Sequence, residues 1–122
     1  MGTITNDGLD TQAALLIEAF PYIANGTGST AEAETDTALE SENALYGAAR
    51  KAATTSTSSN GISTWYALFA ITGGNVSVRE YGIFSASSGG TMLYRRVLLA
   101  ARNYTDGDAL ELNITHTHAR SA

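Results

Sequence analysis

The chain has 122 residues, of which 43% are apolar and only 16% charged, so one domain with a single core is expected. A formal net charge of −5 argues against a nucleic-acid partner, because phosphate binding needs clustered Lys and Arg. There are no cysteines, which removes disulfides, thiolate nucleophiles and Cys-based zinc sites together. The N-terminus lacks a basic region followed by an apolar run, so no signal peptide is expected. The longest apolar stretches, 13–17 and 65–71, are too short to span a bilayer; a soluble protein with no membrane partner is expected.

Residues 1–7 are polar and read as extended. From Gly8 to Phe20, Leu9, Ala13, Leu16, Ile17 and Phe20 fall at helical spacing, with Asp7 or Asp10 available as a cap. Pro21 stops that helix, since the residue before a proline is pushed out of helical geometry. Tyr22 to Asn25 reads as a short strand running into a Gly-rich turn at 25–30. A second helix is expected over 35–44: Thr37 and Glu40 make a capping-box pattern, with Ala38, Leu39 and Leu45 as a modest apolar face and Gly47 as terminator. Residues 48–59 are rich in Ala, Thr and Ser, with a basic pair at Arg50 and Lys51; the first part reads as a strand and 56–61 as a loop.

The remainder reads as strand after strand. Over 62–72 both faces are apolar, with Ile62, Tyr66, Leu68 and Ala70 on one and Trp65, Ala67, Phe69 and Ile71 on the other. That pattern predicts a central strand buried from both sides. The turn at 73–75 predicts a hairpin with the following strand, 76–85. Turns at 87–90 and 105–108 bound the strand 91–101, and a last strand covers 109–118. In that last strand Leu110, Leu112 and Ile114 face one way, and Glu111, Asn113, Thr115 and Thr117 the other. The expected fold is mainly β with short helices: an antiparallel β-sandwich of about 6–7 strands, preceded by one N-terminal helix and one further short helix. It is one module over 1–122, with a helix-containing part at 1–45 and a strand-rich core at 46–118.

Chemistry finds little material. The stretch 26–30, Gly-Thr-Gly-Ser-Thr, superficially resembles a phosphate-cradling loop but has no P-loop lysine, and a turn accounts for it. His116 and His118 sit two apart on one face of a strand and are candidate metal ligands; no third ligand is apparent, so no metal site or cofactor is expected. Asp106 and Asp108 flank Gly107 but lack the remainder of a calcium loop. No Gly-x-Ser-x-Gly elbow is present, and no catalytic residue is assigned. Four Asn-x-Ser/Thr sequons start at Asn25, Asn75, Asn103 and Asn113.

Glu80 stands out. The alternation puts it on the face of Val76, Val78 and Phe84, where a carboxylate must find a partner. Arg95 or Arg96, on the next strand, is the natural candidate, either as an internal ion pair fixing strand register or as a contact between subunits. Tyr22, Tyr46, Tyr94 and Tyr104 are candidate surface or interface aromatics.

Taken in order, several stretches resemble phage tail-collar fibre proteins and related tailed-virus structural proteins. They are 23–28 with Thr30, Thr-Ala-Leu-x-x-Glu within 36–42, Glu-x-Gly-Ile-Phe at 80–84, Gly-Gly-Thr-Met-Leu-x-Arg at 89–95, and Gly-Asp-x-Leu within 107–112. The resemblance implies a non-enzymatic virion protein, assembled in the host cytoplasm, that forms a homo-trimer or hexamer and docks with other proteins of the tail, fibre or capsid. Members are often the attachment end of a longer fibre, so a chain ending after the module is expected to be an adaptor, a baseplate piece or a capsid-surface or turret protein. The alternative is a β-sandwich that grips a host glycan or receptor through its tyrosines.

Overall fold

A computed structural model describes residues 2–118. Helix α1, Asn6–Ala19, is followed by seven strands: β1 Tyr22–Gly26, β2 Lys51–Ala52, β3 Thr54–Ser58, β4 Ile62–Ala70, β5 Val76–Phe84, β6 Met92–Tyr104 and β7 Ala109–Thr117. They form two antiparallel sheets, one ordered β2-β1-β5-β6 and the other β3-β4-β7. The expected antiparallel β architecture with an N-terminal helix is the one found. The core between the sheets holds Trp65, Phe69 and Ile71 from one side, Ile23, Val78 and Ile83 from the other, and the Leu110, Leu112 and Ile114 face of β7.

The helix starts earlier than its apolar spacing suggests. Thr5 is the N-cap, its Oγ1 accepting from Gly8 N at 3.1 Å, so neither Asp7 nor Asp10 caps it. Asp10 instead accepts from Gly61 N at 3.0 Å and ties the helix to the β3–β4 turn. Leu9 and Ala13 are buried, with Leu16, Ile17 and Phe20 against the core. Next to Pro21 the helix ends, and the freed Phe20 carbonyl accepts from Trp65 Nε1 at 2.8 Å.

Three further expectations about the elements are corrected by the topology and burial. No second helix occupies 35–44; that stretch lies irregularly along the outer face of the first sheet. A helix would send its backbone N–H groups to carbonyls four residues back. Here Glu40 N and Ser41 N donate to the Glu80 carboxylate at 2.8 Å each, and Asn43 N donates to Asn25 O at 2.8 Å. Of the expected apolar face only Leu39 is buried, and Leu45 is 66% exposed.

Second, β4 is buried on one face only. Trp65, Ala67, Phe69 and Ile71 point inward, whereas Leu68 on the other face is 42% exposed, because among the described residues no further layer covers that face. Third, β4 and β5 are not a hairpin, since they belong to different sheets. The chain crosses between sheets there and again between β6 and β7. The two crossings brace each other: Gly107 N donates to Ile71 O at 2.7 Å, Ile71 N to Asp108 O at 2.9 Å, and Gly73 N to Asp106 Oδ1 at 3.0 Å. The acids flanking Gly107 thus serve a crossover turn. True hairpins join β3 to β4 and β5 to β6.

Candidate functional site

The most elaborate polar arrangement is built around Glu80. In β5 the register against β6 shifts between Val78 and Glu80, where one residue of β5 (Arg79) lies opposite 98–101 of β6. An irregularity of this kind changes which face the following residues present. Val76, Val78 and Ile83 belong to the core between the sheets, while Phe84 packs with Ala24 and Leu39 outside the first sheet. Glu80 lies on that outer side with Phe84. It does not share the face of Val76 and Val78, contrary to uninterrupted alternation.

The outer side is roofed by 27–45, and Glu80 is fully buried beneath it. Its Oε2 accepts from Gly28 N at 2.7 Å and Ser41 N at 2.8 Å. Its Oε1 accepts from Glu40 N at 2.8 Å and Arg95 Nε at 2.9 Å. Arg95 also donates through Nη1 to Asp36 Oδ2 at 3.0 Å and through Nη2 to Thr30 O at 2.9 Å. One guanidinium therefore fastens two carboxylates and a loop carbonyl. Burial pushes the Glu80 carboxyl up, but the N–H groups of Glu40 and Ser41, the Arg95 guanidinium and Gly28 N–H outweigh it, and the carboxyl lies below its ordinary range.

The Gly-rich loop completes the roof. Glu40 Oε1 accepts from Ser29 N at 2.9 Å and Thr30 N at 3.3 Å, and its Oε2 accepts from the Thr30 hydroxyl. These bonds, the hydroxyl first, hold the Glu40 carboxyl below its usual range. So the loop at 26–30 does cradle anionic oxygens, but they are the protein's own carboxylates. Glycine is required at two places: a Cβ on Gly26 would come within 2.7 Å of Glu80 Oε2, and one on Gly28 would overlap both Glu80 and Glu40.

Two further polar clusters lie nearby. Asn25, fully buried in β1, donates to Ala48 O at 2.9 Å and accepts from Asn43 Nδ2 at 2.8 Å. Its sequon is thereby closed to modification. Arg50 makes a two-pronged pair with Glu42 at 2.6 and 3.0 Å. It also donates to Ala86 O and Gly89 O at 3.0 and 2.9 Å, and lies 3.7 Å above the Phe84 ring. Reading Arg50 only as half of a basic pair missed this role, which depends on contacts distant in sequence.

The remaining candidates are dispersed. Arg96 lies on the face of β6 opposite Arg95, beside Tyr81 and Tyr94. The His116 and His118 rings meet edge to face at 4.7 Å, and His118 Nε2 is 3.4 Å from Ser63 Oγ. Burial first, then His116, lowers the His118 pKa. Among the described residues no three His, Cys, Asp or Glu side chains are grouped to hold a metal. Tyr22 packs with Ala24, Leu39 and Phe84, Tyr104 against the main core, Tyr46 beside Gly74, and Tyr94 is 6.3 Å from Tyr81. The four tyrosines do not form one patch.

A carboxylate with every acceptor position filled and its ionised form favoured is poorly suited to proton transfer, which needs a group poised near the working pH. The arrangement is suited to fastening a roof onto a sheet. A family model described as "Podophage GP4 fiber I protein gp80" matches residues 8–120. No curated protein matches the chain. The match supports the phage-fibre part of the resemblance and does not extend to a tail-collar module.

Proposed function

The chain belongs to the podophage GP4 fiber I protein gp80 family, and from that premise we propose that it is a fibre-attachment or tail module that works by docking. Family membership makes it a structural component of a tailed-virus particle and points to a non-enzymatic role. In the proposed function, copies self-associate as a trimer or hexamer and bind other virion proteins at the tail or baseplate, after assembly in the host cytoplasm. The observation that carries the docking role is the division of labour between charged and apolar groups. Glu80, Glu40, Asp36 and Arg95 are bonded within the chain, while Leu45 and Leu99 project into solvent. Large apolar side chains left in solvent are what an interface buries.

Antibody-gold labelling of intact particles, with mass spectrometry of the same preparation, tests this function. The chain should be recovered from purified particles, and the label should lie on the tail or at the fibre base. Recovery only from the unassembled host-cell fraction would overturn it.

A further inference from the structure

We propose that one copy of this chain inserts Leu99 into an apolar pocket of a second copy, a contact that rests on the self-association proposed above. Both halves lie on the flank where β6 and β7 form the open edges of the two sheets. The projecting half is 98–101, which lies opposite Arg79 alone, between the pairs Val78–Arg102 and Glu80–Val97. Leu99 at its tip is fully exposed. The projection is braced: Arg79 donates from Nε to Leu98 O at 3.3 Å and from Nη2 to Leu99 O at 3.1 Å. A fully solvated leucine on a braced bulge is preorganised for burial elsewhere.

The receiving half is a pocket of about 160 Å³ between the sheets, lined by Leu16, Trp65, Ile83, Leu93, Tyr94 and Ile114. An apolar cavity of about 150 Å³ holds a benzene molecule, so the four-carbon side chain of leucine fits. Charge is complementary at the margins. Arg102, at the foot of the projection, is exposed and has no ion-pair partner among the described residues. Glu34 is likewise exposed and unpaired, and it lines a depression that shares Leu93 and Tyr94 with the pocket. A partner copy seated with Leu99 in the pocket can set Arg102 against Glu34.

Projection and pocket are different surfaces, so the contact closes either reciprocally about a two-fold axis or around a ring of copies. The trimer or hexamer proposed above is the ring case.

Light scattering on four samples tests this contact: the wild-type chain, Leu99→Ser, Thr115→Trp and a mixture of the two variants. Thr115 lines the pocket from an exposed position, so a tryptophan there obstructs the pocket without entering the core. The wild type should be oligomeric, and each variant should fall to the mass of one chain, 12.7 kDa, with its melting temperature within a few degrees of a monomeric reference such as the double variant. The mixture should form a one-to-one dimer, because one variant keeps the pocket and the other keeps the leucine. An oligomeric wild type with Leu99→Ser at the same mass would overturn this contact and leave self-association standing. A monomeric wild type would overturn both.

Discussion

Glu80 lies where water does not reach it, so its ionised form depends on four fixed donors. Removing the charge by Glu80→Gln leaves the Arg95 side chain, only 4% exposed, without its buried partner, and turns an amide NH2 toward backbone N–H groups. Asp36 still pairs with that guanidinium, so urea unfolding should register a loss of about 1–3 kcal/mol, the cost of buried donors left without a matching acceptor. Gly28→Ala should cost about 1–3 kcal/mol by overpacking, because its Cβ meets the Glu80 carboxylate and the Glu40 side chain. The pH dependence has a definite sign. Burial opposes ionisation of Glu80, yet its net shift is downward from 4.5. A group whose folded pKa is depressed contributes stability above its unfolded value, and that contribution is lost as pH falls through the folded one. Asp36, held down first by Ala33 N–H, and Glu40, held down first by the Thr30 hydroxyl, shift the same way. Wild-type stability should therefore decline as pH falls below about 4.5, and less steeply in Glu80→Gln. Equal slopes in the two proteins would contradict the clamp.

Arg50 acts between elements. It stands after the roof segment, pairs with Glu42 in that segment and caps two carbonyls in the β5–β6 turn. Lysine keeps the charge but not the planar fork, so Arg50→Lys should leave the fold intact and raise amide exchange at Thr91 and Ser85 by hydrogen–deuterium mass spectrometry. Unchanged exchange there would show that the turn is held by its own bonds, Ser85 N to Thr91 O and Thr91 N to Ser85 Oγ. This kind of coupling separates what the sequence discloses from what it conceals. The helical spacing of Leu9, Ala13 and Leu16 and the alternation in β7 are local signals, and each marked the right element. Thr37 and Glu40 carried an equally local helix signal, but Glu80, about forty positions away, captured the backbone N–H groups that a helix needs. The unusual burial of Glu80 was legible from its neighbours. Its roof was not, because four donors from 28, 40, 41 and 95 converge only after β5 and β6 pair. The face of Glu80 was misjudged for a related reason, as a register shift at Arg79 leaves no mark in the alternation.

At the scale of the whole molecule, the two sheets are tied by crossings at 71–76 and 104–109 that brace one another, while among the described residues no strand pairs with the outer edge of β6, where Glu32 Oε2 accepts from Val97 N. Such an edge invites association with another strand or chain unless it is covered, and rotational closure prevents unlimited growth. The family match supplies the setting, a tailed-virus particle, and the open flank supplies a surface on which copies can meet. The most direct test is the mass of the purified wild-type chain by light scattering behind a sizing column. A closed trimer or hexamer of the 12.7 kDa chain, unchanged over about a tenfold dilution, is expected; a monomer at every concentration would rule out self-association.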